Sequence, residues 1–327
     1  MLDTVSIKRH LYHNDKIAYL ALGLICASII LGESHEIFEV QKIYNGYLFV
    51  EQRIEPTCSW SELPYQRGGI NWYLVCASYL TFGNSQVIPF LISLGVLPVT
   101  FLFVRKHSNN LIAILSTAWL AITPEFIIFD SVAAYAQSWA LFFLASMYFM
   151  KDRPIISALF FNLAVLCKAI PLAWAPFLIG MIAISNTPKK QKMLYCAAIG
   201  LSTALYAGLS ALDGSSPAYG LIQFKPLSLQ SYHDAITWIF GAFRWDIEMI
   251  FITPILFVVF FLKRKAWNLN PLPFELLGIS MISMIAISMF TVEGYFPYRI
   301  IPNVVMFIFS TITILEAYVK HRKEPLL

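Results

Sequence analysis

The chain has 327 residues, of which 58% are apolar and only 13% are charged, and its mean hydropathy is +0.66. Soluble globular domains carry about 25% charged residues, so this composition excludes a soluble domain and predicts a membrane protein. The net charge of +4 does not indicate a nucleic-acid partner, because the basic and acidic residues are sorted into different parts of the chain.

Apolar stretches recur from residue 17 to residue 319. A transmembrane helix needs roughly 20 apolar residues, or about 17 in a short case. We therefore predict an all-α polytopic membrane protein in which residues 1–327 form a single transmembrane domain of about 10 helices. The predicted spans are 17–31, 87–104, 111–129, 132–150, 155–168, 170–185, 193–212, 248–262, 273–292 and 300–319.

The connectors between these spans alternate in charge. Of the 23 Lys and Arg residues, 16 lie in the two termini and in four short connectors, whereas 13 of the 19 acidic residues lie in the connectors on the other side. Because basic residues collect on the cytoplasmic side of a membrane, the pattern places both termini in the cytoplasm. We expect the chemistry on the opposite face, where the acidic residues gather.

Two long segments face that non-cytoplasmic side, a first outer loop over 32–86 and a second over 213–247. Residues 70–82 are apolar, but as a helix they would extend only about 20 Å against a roughly 30 Å hydrocarbon core. A crossing there would invert every later basic connector, so we predict an interfacial or re-entrant helix on the outer side. Cys58 and Cys76 would suit a disulfide in this loop, with separate thiols as the alternative.

Three glutamates follow the first span closely. Glu33, Glu36 and Glu39 are spaced three apart, so on a helix they lie along neighbouring faces. Carboxylates this close repel one another, which raises the pKa of at least one of them and suits a general base. The alternative is a solvated acidic helix start without a catalytic role.

The segment from His35 to Gly46 is similar to the first outer loop of the GT-C glycosyltransferases, membrane enzymes that take a sugar from a polyprenyl-phosphate donor. Glu36 stands on the Glu of that superfamily's acidic pair, whereas His35 stands where many members have Asp. Further stretches resemble the lipid-linked-oligosaccharide and GPI α-mannosyltransferases. These stretches are 60–69, 82–85, 163–168 and 298–302.

This resemblance implies a GT-C-like fold and the transfer of one hexose, mannose or a relative, on the non-cytoplasmic face. The donor would be a polyprenyl-phosphate sugar lipid, the acceptor a lipid-linked species or a glycan, and membrane lipids would surround the protein. Either Glu36 or Glu33 would be the catalytic base. The reaction requires no cofactor and we predict no metal ligands, although a carboxylate cluster is also able to accept a divalent metal.

Such a transfer also needs cations that hold the phosphate leaving group. We predict Arg67, Lys168 and Arg299 as donor-phosphate ligands. A guanidinium offers a bidentate fork to phosphate, and an ammonium between apolar spans is costly unless it has a function. In the alternative, Lys168 snorkels to the membrane interface and the arginines pair with Glu62 or Glu293.

Four residues are candidates for contact with the acceptor or the sugar, namely Asp130, His233, Asp234 and Trp238. Asp130 ends a predicted span, where it would orient an acceptor, pair with Lys168 or cap the next helix. The other three supply the aromatic and charged mixture that sugars favour. Interfacial anchoring explains the tryptophan equally well.

The rival hypothesis is a non-catalytic membrane protein of the same fold, either a subunit of a larger assembly or a carrier for a lipid or solute. The departure at His35 favours it. A carrier is expected to show polar residues at mid-depth and paired broken helices, and here only Lys168 and Pro171 fit that description. The absence of an Asn-x-Ser/Thr acceptor site favours a prokaryotic cytoplasmic membrane over the endoplasmic reticulum.

Overall fold

The computed structural model describes residues 14–33, 50–60, 70–130, 132, 137–168, 170–185, 187–212, 228–244, 246–290 and 299–323. Throughout these residues the regular secondary structure is helical, and none of them forms a strand. The all-α class predicted from the sequence is therefore confirmed.

The α-helices are numbered here in chain order. A π-helical turn, Val50–Ile54, and a 3-10 turn, Glu55–Thr57, stand between α1 and α2, and a second 3-10 turn, Ile170–Trp174, stands between α7 and α8. The α-helices are α1 Asp15–Glu33, α2 Ile70–Phe82, α3 Val87–His107, α4 Asn110–Ala121, α5 Pro124–Ile127, α6 Ser138–Phe149, α7 Pro154–Cys167, α8 Ala175–Ile184, α9 Lys189–Leu212, α10 Leu229–Ala242, α11 Glu248–Lys263, α12 Leu272–Phe290 and α13 Ile301–Lys323.

Within the described ranges, four helices are long and apolar enough to cross a membrane, over Asp15–Gly32, Val87–His107, Leu272–Met289 and Ile301–Arg322. They coincide with the predicted spans 17–31, 87–104, 273–292 and 300–319. The chain therefore has the character of a multi-pass helical membrane protein.

The remaining six predicted spans are not confirmed as spans. Several of them coincide with apolar helices that are shorter, over Asn110–Ala121, Ser138–Phe149, Pro154–Cys167 and Ile170–Ile184. The prediction of one span over 111–129 is wrong in its extent, since α4 ends at Ala121 and Pro124 begins α5. Proline has no backbone N–H and restricts the residue before it, so the longer helix is broken there.

Local sequence accounts for several helix ends. The side chain of Asn109 accepts a hydrogen bond of 3.0 Å from the backbone N–H of Ile112 and so caps the start of α4. At the end of α2, Gly83 adopts a positive φ of 67°. Its N–H donates to the carbonyl of Tyr79, a C-terminal stop that glycine adopts at little steric cost.

The central helix of the bundle is α13. It packs against α4, α6, α11 and α12, and most of its residues are buried. In contrast, α1 contacts only α3 and α4 closely and leaves most of its surface exposed. A helix that is apolar all round and buried all round belongs to the middle of a bundle, so α13 organises the core.

The basic connectors meet at one end of the bundle. Arg105, near the end of α3, forms an ion pair of 2.8 Å with Asp15 at the start of α1. Lys106 pairs with Asp152 in the connector between α6 and α7, and this bond lowers the pKa of the Asp152 carboxyl. The first and last helical turns of four helices thus lie together.

The connector between α11 and α12 and the end of α13 lie there as well. Asn109 donates a hydrogen bond of 3.1 Å to Glu316 of α13, and the Asn270 amide donates to the carbonyl of His107. The ring of Trp267 lies 6.0 Å from that of Tyr318. We call the region formed by 105–109, 151–153, 263–270 and 316–323 the basic end.

Helices that start at the basic end finish at the opposite end of the bundle. By this rule α1, α4 and α7 finish there, and α6, α11 and α13 begin there. Glu33, the last residue of α1, and Arg299, which precedes α13, therefore lie at the same end. The grouping of cations that the sequence predicted is confirmed for these connectors, whereas the side of the membrane that each end faces is a separate question.

A disulfide joins Cys58 to Cys76, with Cα atoms 5.4 Å apart. It ties the turns over 50–57 to α2, which spans Ile70–Phe82 as the sequence predicts. The Ser138 hydroxyl donates a hydrogen bond of 2.9 Å to the Asn71 side chain, so the first turn of α2 lies beside the start of α6. The disulfide-linked segment thus lies away from the basic end.

Candidate functional site

Several ionisable side chains gather at the end of the bundle opposite the basic end, which we call the site end. It contains the α4–α6 connector, the residues after α7 and those before α11 and α13. The acidic and basic residues whose side chains are described there are Glu125, Asp130, Lys168, Arg244, Asp246, Glu248 and Arg299.

Lys168 follows the last residue of α7 and takes an extended backbone conformation, with φ −156° and ψ 140°. Its backbone N–H still donates to the carbonyl of Ala164 at 2.9 Å. The side chain is half-buried, and the following 3-10 turn brings the chain back toward α8. A partly shielded ammonium at a helix end suits both a phosphate ligand and a snorkelling residue.

Arg299 and Asp130 are much more buried. Arg299 is 8% exposed and stands immediately before α13, and Asp130 is 1% exposed and follows α5. A buried guanidinium or carboxylate destabilises a fold unless it is paired and hydrogen-bonded. Burial therefore makes a fixed, positioned role for these two residues more plausible than a solvated one, and it separates them from the half-buried Lys168.

The predicted catalytic and first-loop residues lie mostly outside the described residues. This applies to Glu36 and Arg67. Glu33 is described as the last residue of α1, but its side chain is not. Their assigned roles remain predictions, with only the end of α1 fixed at the site end.

The three candidates on α10 do not form one surface. His233 is exposed, whereas Asp234 and Trp238 are half-buried. The Gln230 amide donates a hydrogen bond of 2.7 Å to Asp234. On an α-helix, positions 233 and 238 point about 140° apart, so His233 and Trp238 cannot both face one sugar ring on the same side of α10.

A buried carboxyl pair joins α5 to the start of α11, and the sequence reasoning assigned it no role. Glu125 is 0% exposed, and none of the described residues donates a hydrogen bond to either of its carboxyl oxygens. Its neighbour is the carboxyl of Asp246, which lies close enough to raise the pKa of Glu125. Burial and a neighbouring carboxyl both disfavour the ionised form of Glu125, so its proton is held more tightly than that of a solvated carboxyl.

The environment agrees with that protonation. Burial, then the hydrogen bond and negative charge of Asp246, and to a lesser extent the charge of Glu248, raise the pKa of Glu125 from 4.5 to about 9. Asp246 is half-buried and Glu248 is exposed. Three carboxyls with decreasing exposure thus gather here, and the fully buried one has a strongly raised pKa, as is common where protons are held or transferred.

One sequence signal points to Glu125. It is a single ionisable residue followed by the apolar run 126–129, and Pro124 before it ends the helix and exposes a connector. The pair itself could not be predicted from the sequence. Asp246 is distant from Glu125 in the chain, and only tertiary packing brings the two carboxyls together.

Aromatic and amide groups lie in the layer between α6 and the 3-10 turn after α7. The ring of Phe143 lies 4.7 Å from Trp174 and 6.2 Å from Trp139. Both indole N–H groups are buried, and so is the Oε1 atom of Gln137, and none of the three finds a hydrogen-bond partner among the described residues. Buried polar atoms usually have a partner, so this layer has hydrogen-bonding capacity that the described protein does not use.

No group of three or more His, Cys, Asp or Glu side chains that would hold a metal ion occurs among the described residues. The pair formed by Glu125 and Asp246 supplies two carboxyls only. Whether the glutamates near residue 36 bind a metal is outside the described part of the chain.

Comparison with protein families, with curated proteins and with solved structures gives no match for this chain.

Proposed function

We propose that the protein is a membrane glycosyltransferase of the GT-C type. It transfers a hexose, mannose or a relative, from a polyprenyl-phosphate lipid to a lipid-linked or glycan acceptor. In this proposal Glu36 or Glu33 is the base, and Lys168, Arg299 and Arg67 hold the donor phosphate. The protein requires no cofactor, and Asp130 with residues of α10 contributes to the acceptor side.

One observation carries the proposal, namely the common position of oppositely charged candidates. Glu33 ends α1, Lys168 follows α7 and Arg299 precedes α13, and all three elements finish or begin at the site end. Transfer from a lipid phosphate requires a carboxylate for the acceptor hydroxyl and cations for the leaving group within one site. The opposite arrangement, with Glu33 and Arg299 at different ends, would have been incompatible with these roles.

Two features support a non-cytoplasmic location for the site end. Cationic connectors collect at the other end, as expected for the cytoplasmic side. The disulfide between Cys58 and Cys76 lies away from that end, and disulfides persist in oxidising compartments. The proposal accordingly has both termini in the cytoplasm and about ten crossings, in a prokaryotic cytoplasmic membrane.

The second candidate function is a carrier, and the carboxyl pair favours it. Glu125 is a buried acid whose pKa is raised by burial, by the neighbouring Asp246 and, less strongly, by the exposed Glu248. Ionisable residues in such positions serve as proton relays in transporters. A carrier would use this proton to drive movement of a solute, and the Lys168 and Arg299 cations would then serve binding rather than catalysis.

The deciding experiment measures sugar transfer by the purified protein from a panel of radiolabelled polyprenyl-phosphate sugars to lipid acceptors. The variants are Glu36→Gln, Glu33→Gln and Lys168→Met. The matched controls are Glu55→Gln, which removes another carboxylate from the first outer loop, and Arg244→Gln, which removes an exposed cation near the site end.

We expect transfer by the parent and both controls, a loss of about 100-fold or more when the base is removed, and a smaller loss for Lys168→Met. Transfer at the parental rate by both glutamate variants would overturn the assigned base. Absence of transfer by the parent with every donor, together with proton-coupled solute uptake that Glu125→Gln abolishes, would establish the carrier instead.

A further inference from the structure

Helix α10, Leu229–Ala242, has three distinct faces. The face that packs on α12 consists of small or partly covered residues, with Ser231, Ala235 and Ala242 buried. A second face is polar and solvent-exposed and holds Gln230, His233 and Thr237. The third face is apolar, and nothing in the described part of the chain covers it.

The apolar face is a continuous stripe. Leu229, Tyr232, Ile236 and Phe240 recur at intervals of three and four residues, so they lie one above the other along the helix. Their exposures run from 39% to 91%. Large apolar side chains at that exposure are unfavourable in water, and four of them in one row mark a surface that another phase or molecule covers.

The stripe continues onto a neighbouring helix. The ring of Phe240 lies 6.3 Å from that of Phe251 on α11. Phe251 is 60% exposed, and it begins the exposed apolar face of α11, which includes Ile255 and Val258. The outward apolar face of a helix in a membrane bundle contacts acyl chains, so this junction joins the stripe of α10 to a lipid-facing surface.

The polar face of α10 excludes full burial of the helix in the hydrocarbon core of the membrane. The imidazole of His233, the Thr237 hydroxyl and the amide of Gln230 would lose their hydration inside hydrocarbon, at a cost of several kcal/mol for a group left without a partner. The two exposed faces therefore require apolar and aqueous surroundings at once.

We propose that α10 lies in the membrane interface, with Leu229, Tyr232, Ile236 and Phe240 inserted among acyl chains and His233 and Thr237 at headgroup level. This geometry is that of an interfacial amphipathic helix, whose binding grows with the apolar area inserted. It does not depend on the transferase proposal, because only the burial and exposure of α10 and of the adjoining face of α11 enter it.

The composition of α10 also indicates whether its insertion needs anionic lipids. Interfacial helices that need anionic lipids carry Lys or Arg on the polar face, whereas residues 229–242 contain neither. Insertion is therefore driven by the apolar stripe, and a zwitterionic phosphatidylcholine bilayer is sufficient for it. The N-terminus of α10 is capped, since the Ser228 hydroxyl accepts a hydrogen bond of 3.1 Å from the backbone N–H of Ser231.

The test uses spin labels at adjacent positions of the full-length protein in phosphatidylcholine nanodiscs. Ile236→Cys and Thr237→Cys are made in a background in which Cys26, Cys167 and Cys196 are replaced by alanine, with the disulfide retained. Collision of the label with oxygen reports the acyl region, and collision with a water-soluble nickel chelate reports the aqueous phase.

We expect the ratio of oxygen to nickel accessibility to be several-fold higher at position 236 than at 237, with the same values when half the lipid is anionic. Equal nickel accessibility at the two positions would show that α10 stands in water and would overturn the proposal. Low accessibility of position 236 to both reagents would show that a polypeptide covers the stripe, which overturns it as well.

A second measurement needs no cysteine replacement. The unmodified protein is reconstituted with a phospholipid that carries a photoreactive diazirine on its acyl chain, and crosslinked peptides are mapped by mass spectrometry. We expect crosslinks on Tyr232, Ile236 and Phe240 but not on His233 or Thr237. Crosslinks absent from 229–242 while present on α11 would contradict the insertion of α10.

Discussion

The carboxyl of Asp246 lies close enough to the buried carboxyl of Glu125 to raise its pKa, and none of the described residues donates a hydrogen bond to either oxygen of Glu125. The contact joins α5, which contains Glu125, to the segment that precedes α11, which contains Asp246. Burial and this neighbouring carboxyl raise the pKa of Glu125, so the contact favours the protonated form of Glu125.

The first prediction concerns the pH dependence of stability. Burial and the Asp246 carboxyl raise the pKa of Glu125 from 4.5 to about 9, so the folded protein holds this proton more tightly than the unfolded chain does. The stabilisation is therefore fully present below about pH 4.5 and is lost as the pH rises through about 9. Glu125→Gln removes the titration while keeping a similar shape.

We expect the thermal midpoint of the wild-type protein in detergent to fall by several degrees more than that of Glu125→Gln between pH 6 and pH 9. Glu248→Gln, which removes only the smallest of the named causes, should keep most of the wild-type dependence. Differential scanning fluorimetry at both pH values measures the difference. Parallel curves for the wild type and Glu125→Gln would contradict a raised pKa at this position.

The second prediction compares two buried hydroxyls that differ in their partners. Ser138 donates to Asn71, whereas the Ser288 hydroxyl, also 1% exposed, has no partner among the described residues. Ser138→Ala leaves the Asn71 oxygen without its donor, which should cost about 1–3 kcal/mol. Ser288→Ala removes a polar group that makes no such bond and should be close to neutral.

Denaturation of the two variants in the same detergent gives the comparison, and Asn71→Ala combined with Ser138→Ala completes a double-mutant cycle. A coupling energy of about 1 kcal/mol is expected if the hydrogen bond is the cause. Equal destabilisation by Ser138→Ala and Ser288→Ala would instead assign the loss to packing at both sites.

Much of the helical framework follows from the sequence. Helix α2 was predicted over 70–82 because an apolar run of that length is too short to cross a bilayer, and the helix occupies the same residues. The grouping of Arg105 and Lys106 with the connector at Asp152 follows from charge pattern alone. The first feature depends on residues that are near one another in sequence. The second depends on basic residues that recur in each connector on the same side.

The positions of helix breaks and of the carboxyl pair were harder to predict. Hydropathy continues smoothly through 111–129, so it does not reveal that Pro124 divides the run. The pair formed by Glu125 and Asp246 depends on how α11 packs beside α5, which no local pattern encodes. The sequence did not decide between a disulfide and two separate thiols for a related reason. The two cysteines meet only if the turns over 50–57 fold back onto α2.

The third prediction concerns the disulfide. It closes a loop with a sequence separation of 18 between Cys58 and Cys76. Chain-entropy arguments give about 3 kcal/mol of stabilisation for a loop of that size, as an upper value in a protein whose unfolded state keeps helices. Replacing both cysteines with serine should lower the thermal midpoint by several degrees.

A matched control replaces Cys26 and Cys196, which form no disulfide and are partly exposed. That variant should keep its midpoint within about one degree, since it loses no cross-link and little buried area. Treatment of the wild type with a reducing agent should reproduce the double-serine result. A wild type that is insensitive to reduction would show that Cys58 and Cys76 are not linked in the protein.

The fourth prediction assigns the two ends of α11 to opposite sides of the membrane. Glu248 begins this helix at the site end, near Glu125. Lys265 follows its other end in the connector at the basic end, where the Lys263 ammonium lies over the Trp267 ring. Glu248 and Lys265 are both exposed, so cysteines at either place are accessible to a maleimide reagent. The charge pattern predicts that the basic end faces the cytoplasm.

In intact cells, a membrane-impermeant maleimide should label Glu248→Cys and leave Lys265→Cys unlabelled until the cells are permeabilised. The two variants control for each other, because they share one helix and one chemistry and differ only in which end carries the thiol. Labelling of Lys265→Cys alone in intact cells would show the inverse orientation, with the disulfide in the cytoplasm. The non-cytoplasmic location of the site end would then no longer support the transferase proposal. Labelling of both would show that α11 does not cross the bilayer, since a crossing helix holds its ends in separate aqueous phases.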